Sequence, residues 1–528
     1  MARNRLSLPI LALSGLLATA PASAQIGPIG TESQVPTNPA GFQTSPATAV
    51  APSGGALVVW QSAGGGSQET DVWARAYGAD GTPLAPEFLV NSHLPGCQGE
   101  PDVAAAPDGS FTVVWRSDAQ DGDGAGIFAQ RVTAHGTLLG SEIQINATTT
   151  SEQRAPQVAH DASGNFVVAW ESLGQDGDGW SVVARRFNAS GPLSSEAMIP
   201  ASAAGHQRHP DLAFQPTGHA IFIWEGPDGN GSGVFLRRFD NSLSTADPVV
   251  QANLSAAGFQ SFPSLGVDAS GNIIAVWENA QPGVAGTTLQ ALRFDRFLTQ
   301  VGDPFQPDAG APGPASRPVV ASAGSGDFLI LWESASADQG GPGAVIRLFD
   351  FLEQPKMSGA LVHASHSGRQ GRPDIAVSPA GNFVASWTSL GQDGDGSGVL
   401  ARRYDFLGHD FHTIAPCRIV DTRSGAPLTS GVERSFSIQG ACAIPPTARA
   451  LALNVTAASA TSLGNISLFP GDAAPPVSTS INFLADSTRA NNAILPLARN
   501  GVGTIRARPF VANSGQVHLI LDVSGYFE

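Results

Sequence analysis

The sequence predicts an all-β protein: a seven-bladed β-propeller with four-stranded blades, followed by a β-sandwich domain. Tryptophans recur 53 to 55 residues apart, prolines recur with the same separations, and each interval holds four short apolar runs separated by turn residues. Two markers with one period indicate a repeat architecture, and four strands per repeat are typical of a propeller blade. The markers are Trp60, Trp115, Trp170, Trp224, Trp277, Trp332 and Trp387, with Pro46, Pro101, Pro156, Pro210, Pro263, Pro318 and Pro373.

The third repeat shows the predicted strands most clearly, at residues 156–160, 166–170, 182–187 and 196–199. The second of these runs is apolar at nearly every position, which predicts a strand buried on both faces. A string of β-sandwich modules is the alternative architecture. A self-sufficient sandwich needs about 100 residues, so a repeat of this length favours the propeller.

The two ends of the repeat array offer rival strands for closing the ring. Residues 30–35 resemble residues 140–145, the predicted fourth strand of the second repeat. Residues 409–414 follow the seventh repeat in the same register. Because pairing with the last blade would remove an exposed sheet edge, we expect the N-terminal strand to close the ring.

Residues 1–24 are predicted to be a signal peptide. Arg3 and Arg5 precede a mostly apolar run, and Ala22-Ser23-Ala24 forms a small-residue cleavage site. The propeller is then expected over residues 25–411 and the sandwich over residues 412–528, where the repeat stops and alternating strands continue. These features predict a protein that is secreted or held at the cell surface, with the periplasm as an alternative.

The chain is acidic, with 28 Lys and Arg residues against 44 Asp and Glu residues and a formal net charge of −16. This charge argues against nucleic acids and anionic membranes as partners. No later apolar run is long enough to predict a membrane span.

Three cysteines are present, and export permits a disulfide bond. Cys417 and Cys442 lie close together in the C-terminal part and are expected to pair. Cys97 then remains, either as a free thiol in a loop or as an intermolecular link.

Acidic turns follow the second predicted strand in four repeats. Glycine and aspartate in such turns point to two alternatives: hairpin turns in which glycine supplies positive φ, or calcium sites built from carboxylate oxygens. We therefore predict no cofactor other than calcium, and a ligand-binding surface at these turns. The candidate residues are Asp121, Asp123, Asp176, Asp178, Asp228, Asp393 and Asp395, with all but Asp228 as possible calcium ligands.

Arginine pairs recur on the third predicted strand, as in Arg185-Arg186 and Arg237-Arg238. Neighbours on a strand point to opposite faces, so a pair cannot form one basic patch. We expect these arginines to form salt bridges with the glutamates that follow the tryptophans, such as Glu171 and Glu225.

Two stretches resemble known families. The repeats FVVAWESLGQDGDGWSVVARRF and FVASWTSLGQDGDGSGVLARRY resemble repeats of large exported bacterial proteins, including surface and adhesin-like ones, and are loosely similar to the calcium-binding propeller of integrin α chains. The C-terminal part, with CRIVDTR, LNVT, RANN and DVSGYF, resembles a second secreted bacterial module. The resemblance implies an accessory or attachment role for that module.

These observations favour a binding or adhesion protein that recognises a carbohydrate, a cell-wall polymer or a protein through the propeller face. One alternative is a secreted glycoside hydrolase or polysaccharide lyase that uses loop carboxylates. Another is a purely structural surface protein. An enzyme should concentrate unusual polar residues in a few blades, whereas a scaffold should repeat them evenly.

Overall fold

The computed structural model describes residues 26–63, 69–253, 258–323, 326–338, 341–364, 368–378, 381–406, 411–438, 440–445, 448, 450–471, 479–498 and 503–527. The signal peptide predicted at residues 1–24 lies outside this range. The chain divides into two compact units, one ending at Phe406 and one spanning Leu407–Glu528, here called the first and second domains. This division precedes the predicted boundary at 411/412, and the strand Phe411–Asp421 begins the second domain.

The first domain is built from strands, numbered here in chain order. They are β1 Ile26–Gln34; in repeat one β2 Phe42–Val50, β3 Ala56–Ala63, β4 Thr70–Tyr77 and β5 Phe88–Leu89; in repeat two β6 Gln98–Ala105, β7 Phe111–Asp118, β8 Ala125–Val132 and β9 Leu138–Gln144; in repeat three β10 Gln153–His160, β11 Phe166–Leu173, β12 Trp180–Asn188, β13 Gly191–Pro192 and β14 Ala197–Met198; in repeat four β15 Arg208–Phe214, β16 Ala220–Pro227, β17 Gly231–Phe239 and β18 Val250–Gln251; in repeat five β19 Gly258–Val267, β20 Ile273–Ala280, β21 Thr288–Phe294 and β22 Gln300–Phe305; in repeat six β23 Ala315–Ser322, β24 Phe328–Asp338, β25 Gly341–Phe349 and β26 Ala360–Leu361; and in repeat seven β27 Gln370–Val377, β28 Phe383–Leu390 and β29 Ser397–Phe406.

Each repeat forms an antiparallel sheet whose strands pair in chain order, as the alternation of apolar runs and turns predicts. The sheets are four-stranded, with a split fourth strand in repeat three and a short parallel bridge from β17 to β19 that links the sheets of repeats four and five. First strands of consecutive repeats contact each other, and β27 contacts β2. The all-β class is confirmed, and the arrangement is that of a β-propeller-like protein.

The fourth strand of the seventh sheet comes from the N-terminus. β1 pairs antiparallel with β29, giving the order β1-β29-β28-β27. Just after β1, the Val35 amide donates to the Val399 carbonyl at 2.9 Å. Of the two rival strands, the N-terminal one therefore pairs with the last repeat, while residues 411–421 belong to the second domain.

The core lies between consecutive sheets, and the marker tryptophans fill it. All seven are at most 2% exposed. In the second strand, Leu57 and Val59 pack towards repeat two, while Val58 and Trp60 pack towards repeat seven. This alternation shows why nearly every position of the strand is apolar: both faces of each sheet are covered by a neighbour.

The predicted partners of the arginine pairs are wrong. Arg185 donates through Nη1 to the Ile145 carbonyl at 3.0 Å, and Arg237 donates to the Ile199 carbonyl at 2.9 Å. Each guanidinium thus reaches the end of the fourth strand of the preceding repeat, where a carbonyl needs a donor. These arginines link sheets through the backbone, whereas Glu171 pairs with Arg154 at 2.8 Å.

The second domain contains two antiparallel sheets and three short 3₁₀ helices. Its elements are β30 Phe411–Asp421, η1 Thr422–Ser424, β31 Leu428–Thr429, β32 Arg434–Ser437, η2 Ala441–Ala443, β33 Ala450–Ala458, β34 Gly464–Pro470, β35 Ile481–Phe483, β36 Arg489–Pro496, β37 Thr504–Val511, η3 Ala512–Ser514 and β38 Gln516–Phe527. One sheet has the order β30-β38-β33-β36 and the other β32-β37-β34-β35, and both contribute to one apolar core.

A disulfide joins Cys417 to Cys442, with Cα atoms 6.0 Å apart, which confirms the predicted pairing. Such a bond is typical of proteins outside the cytoplasm. Cys97 is half-buried and takes part in no disulfide within the described residues. Over the residues that the structure describes, no helix is long and apolar enough to cross a bilayer.

The N-terminal closing strand should contribute measurably to stability. Val35 is fully buried in a cluster with Trp60 and Val399, so Val35→Ala should lower the free energy of unfolding by about 2 kcal/mol. Val301→Ala, on the partly exposed β22, should change it little. Chemical denaturation of both variants checks this, and equal stabilities would show that the closing segment contributes nothing.

Candidate active site

The first strand of every repeat is interrupted at its marker proline. The register with the second strand shifts there in all seven repeats, and the residue before the proline has φ between 48° and 52°. Such left-handed geometry in a residue other than glycine costs about 1–3 kcal/mol, so the surroundings must hold it in place. These residues are Ser45, Glu100, Ala155, His209, Phe262, Arg317 and Arg372.

Side chains of the preceding repeat hold several of these bends. The amide of His209 donates to Glu171 at 2.8 Å, and the amide of Arg317 donates to Glu278 at 2.7 Å. Both acceptors are buried glutamates that directly follow a marker tryptophan. The predicted role of these glutamates as partners of the arginine pairs is therefore replaced by hydrogen bonds to backbone amides of the next repeat.

The seven bends converge on one cavity of about 310 Å³, which residues from all seven repeats line. Its polar lining is uneven. It includes three aspartates, a histidine and two arginines: Asp102, Asp211, Asp374, His209, Arg317 and Arg372.

Each aspartate directly follows a marker proline and binds the next first strand. Asp102 accepts a hydrogen bond from the Val158 amide at 2.8 Å, Asp211 accepts one from Leu265 at 2.9 Å, and Asp374 accepts one from Thr48 at 2.6 Å. The first strand is an edge strand of its sheet, so its outward amides need such partners. The carboxyls thereby join repeats two to three, four to five, and seven to one.

Burial raises the pKa of all three carboxyls. The pKa of Asp374 rises to about 6, although bonds from backbone amides oppose the shift. The pKa of Asp102 rises well above its usual range through burial, and the charges of Asp374 and Asp211 raise it further. The pKa of Asp211 is also raised by burial. The effect of desolvation on these pKa values outweighs that of hydrogen bonding, because the charged carboxylate loses its water on burial. In addition, negative charge on one carboxyl makes it harder for the others to ionise.

His209 lies beside these carboxyls and is held from two sides. Its Nδ1 atom is 2.8 Å from Glu225 Oε2, and its ring centroid is 4.0 Å from that of Phe262. Glu225 follows the marker tryptophan of repeat four. A carboxylate on one ring nitrogen fixes the tautomer and leaves the other nitrogen to act as a base.

The acidic turns predicted as binding sites lie elsewhere, and none of their aspartates lines the cavity. The first aspartate of a turn caps it: Asp176 accepts the Asp178 amide at 3.1 Å, and Asp121 also accepts the Asn146 side chain at 2.6 Å. The second aspartate reaches the next repeat, as Asp178 does at the Gly205 amide, 2.9 Å away. The remaining turns follow this pattern, through Asp123 to Ser151, Asp228 to Asn253, Asp393 to Asp395 and Asp395 to Gly41.

The turns of repeats two, three and seven therefore serve as hydrogen-bonded links between sheets, whereas Asp228 binds side chain and backbone groups of its own repeat. Among the described residues, no group of three or more histidine, cysteine, aspartate or glutamate side chains is arranged to hold a metal ion. Calcium binding at the turns stays a prediction.

The cavity aspartates were missed in the sequence, although a signal was present. The signal lies in the residue that directly follows each marker proline. That residue is aspartate in repeats two, four and seven only, and is Ala47, Gln157, Ser264 and Val319 in the others. An aspartate at a few of seven equivalent positions is the uneven polar pattern expected of an enzyme.

No protein-family model matches the chain, and no curated protein matches it. Several solved structures have a similar fold. Polysaccharide lyase Uly1 is 10% identical with a TM-score of 0.47, and the match covers 72% of this chain and all of that one. The α-L-arabinanase of Penicillium chrysogenum, complexed with arabinobiose, is 11% identical over 72% of this chain and 99% of its own, with a TM-score of 0.42. The GH93 α-L-arabinofuranosidase of Fusarium graminearum is 11% identical over 70% and 97%, with a TM-score of 0.43.

These comparisons correct the predicted function. A binding or adhesion protein was favoured from the sequence, whereas the similar structures are a lyase, an arabinanase and an arabinofuranosidase. The main interpretation, a binding or adhesion protein, is therefore wrong. Because the identities are 10–11%, the likeness concerns the fold, and the reaction has to be argued from the cavity.

Asp374 should make stability depend on pH. Its pKa is about 6 in the folded protein and near 3.8 when unperturbed. The contribution of this group to the free energy of unfolding is therefore largest below pH 4, and it falls by up to about 3 kcal/mol as the pH rises through 6. Asp374→Asn, which can still accept the Thr48 amide, should melt higher than the wild type at pH 8 and similarly at pH 4. Asp303→Asn, an exposed control on β22, should show no such trend. Parallel curves for the wild type and Asp374→Asn would contradict the shift.

Calcium at the acidic turns has a direct test. A bound ion stabilises the folded state by mass action, so calcium should raise the melting temperature relative to a chelator. Asp176→Asn should reduce that rise, because it removes one carboxylate ligand. Identical wild-type melting curves in calcium and in chelator would contradict the prediction.

Proposed function

We propose that this protein is an exported enzyme that cleaves glycosidic bonds of a polysaccharide in the cavity where its seven first strands converge. Its architecture would be a seven-bladed β-propeller followed by a β-sandwich of accessory role. Support for seven blades comes from the contact of β27 with β2 and the pairing of β1 with β29. Support for export comes from the predicted signal peptide and from the disulfide.

One observation carries the proposed activity: three carboxyls with raised pKa values line a single cavity beside a histidine–glutamate pair. Cleavage of a glycosidic bond requires a proton for the departing oxygen. A carboxyl with a pKa near the working pH can hold that proton and release it. Asp374, with a pKa of about 6, fits this role.

The second requirement is a group that removes a proton, either from water in hydrolysis or from the sugar in elimination. His209 fits this role, because Glu225 holds Nδ1 and leaves Nε2 for the substrate. Phe262, whose ring is tilted by 32° relative to that of His209, offers an apolar ring of the kind that packs against sugar rings. Asp102 and Asp211 crowd Asp374 electrostatically and position the first strands.

This proposal moves the chemistry predicted for an enzyme from the loops to the first strands. Loop carboxylates in the acidic turns are engaged in links between sheets. The cavity carboxyls are also bonded to backbone, but burial raises their pKa values, to about 6 for Asp374, so they hold a proton more readily than exposed carboxyls do. The partner is accordingly a polysaccharide.

The test is to incubate the purified mature protein with a panel of neutral and acidic polysaccharides and to measure the new chain ends that cleavage releases. Asp374→Asn should lower kcat by about 100-fold or more, since general acid catalysis contributes at least that much. Asp303→Asn should retain full activity. The proposal fails if no polymer is cleaved, or if Asp374→Asn, shown by its melting curve to be folded, cleaves as fast as the wild type.

A further inference from the structure

Two arginines give the cavity a local positive charge in an acidic protein. Arg317 and Arg372 both line it, and a neighbouring cleft is lined by the same two residues together with Arg369. The three guanidinium groups lie close enough for Arg317 and Arg369 to lower the pKa of Arg372, after the larger effect of burial. Like charges placed together cost stability unless an anion offsets them.

Among the described side chains, no carboxylate lies within ion-pair distance of either cavity arginine, although the charges of Glu333 and Glu100 act on Arg372 and the charge of Arg317 acts on Glu278. Arg372 donates to the Ser45 hydroxyl at 2.7 Å, and Arg317 lies over the Phe262 ring, 5.4 Å from its centroid. Arg369, in contrast, is paired with Glu333. A guanidinium held by a hydroxyl or a ring keeps free donors, and such donors match the two oxygens of a carboxylate.

The position of these arginines in the repeat shows that they are not needed by the fold. They occupy the bend before the marker proline, where the other repeats have Ser45, Glu100, Ala155, His209 and Phe262. The left-handed backbone is the same in each case, so the side chain is free to vary. Two adjacent repeats, six and seven, supply arginine at this position, beside Asp374 of repeat seven.

The lining aspartates do not prevent an anion from entering. Burial keeps their pKa values high, so the carboxyls carry less negative charge at mildly acidic pH than exposed ones would. An anionic group would therefore meet two guanidinium groups and carboxyls that ionise less readily than exposed ones.

We propose that the substrate is an acidic polysaccharide containing uronate residues, and that Arg317 and Arg372 bind a sugar carboxylate beside Asp374 and His209. This inference rests on the proposed cleavage of polysaccharides and specifies its substrate class. The arginines act by binding and positioning the sugar that is cleaved.

The experiment compares polygalacturonate with its fully methyl-esterified form, in which an uncharged ester replaces each carboxylate. Alginate and hyaluronan serve as further uronate polymers. Cleavage is followed by new reducing ends and by the ultraviolet absorbance of a C4=C5 double bond, which separates hydrolysis from elimination. The wild type should cleave at least one acidic polymer, and esterification should raise KM by about tenfold or more, since a charged hydrogen bond contributes that much.

Variants of the two cavity arginines test whether these residues bind the sugar carboxylate. Arg317→Gln and Arg372→Gln should each raise KM for the acidic polymer by about tenfold, with a smaller change in kcat. Arg317→Lys and Arg372→Lys keep the charge and should lose less, which separates charge from misfolding. Arg296→Gln, an exposed arginine in a turn of repeat five, should behave as the wild type.

The two proposals fail differently. Cleavage of neutral polymers as efficiently as acidic ones, with all arginine variants unchanged, would overturn the substrate class and leave the proposed function intact. Absence of cleavage on every polymer would overturn the proposed function. Calorimetric titration of Asp374→Asn with oligogalacturonate then measures binding without cleavage. If Asp374→Asn binds the oligosaccharide and the double variant Asp374→Asn/Arg317→Gln does not, the ligand class is supported. If Asp374→Asn does not bind it, the ligand class is overturned.

Discussion

The first domain depends on how the inner edge of each sheet is satisfied. The first strand of each repeat pairs with the second strand on one side only. On its other side, its backbone amides face the neighbouring repeat, which provides no strand to pair with them. Side chains supply the missing acceptors. Asp102, Asp211 and Asp374 accept amides of the next first strand, and Glu171 and Glu278 accept amides at the bends. Because an unpaired buried amide is costly, these acidic side chains hold consecutive sheets in contact.

The same requirement creates the chemical properties of the cavity. Carboxyls that bind inner strands must lie where the sheets converge, and that position removes water from them. Burial then raises their pKa values, most visibly for Asp374. A group that stabilises the fold through hydrogen bonds thus becomes a group that can donate a proton. The accompanying loss of stability at neutral pH is the kind of cost that functional sites often carry.

Regular and irregular features of the repeats have separate roles. The tryptophans, the bends, the acidic turns and the arginines that reach backbone carbonyls recur, and each connects one sheet to the next. The irregular positions are those before and after the marker proline. There the backbone is constant and the side chains vary, so one cavity receives histidine, arginine and aspartate from different repeats.

Sequence alone determined the strand content, the repeat length, the buried tryptophans and the pairing of Cys417 with Cys442, because these follow from periodicity and from proximity in the chain. It also identified the N-terminal strand that pairs with β29. It could not identify the site. Asp102, Asp211 and Asp374 are separated by more than one hundred residues in the chain, and only the contact between first strands brings them together. It also misassigned the arginines and glutamates. Arg185 and Arg237 bind backbone carbonyls of the preceding repeat, and Glu171 and Glu278 bind backbone amides of the next one, and the linear pattern does not reveal where these backbone groups lie.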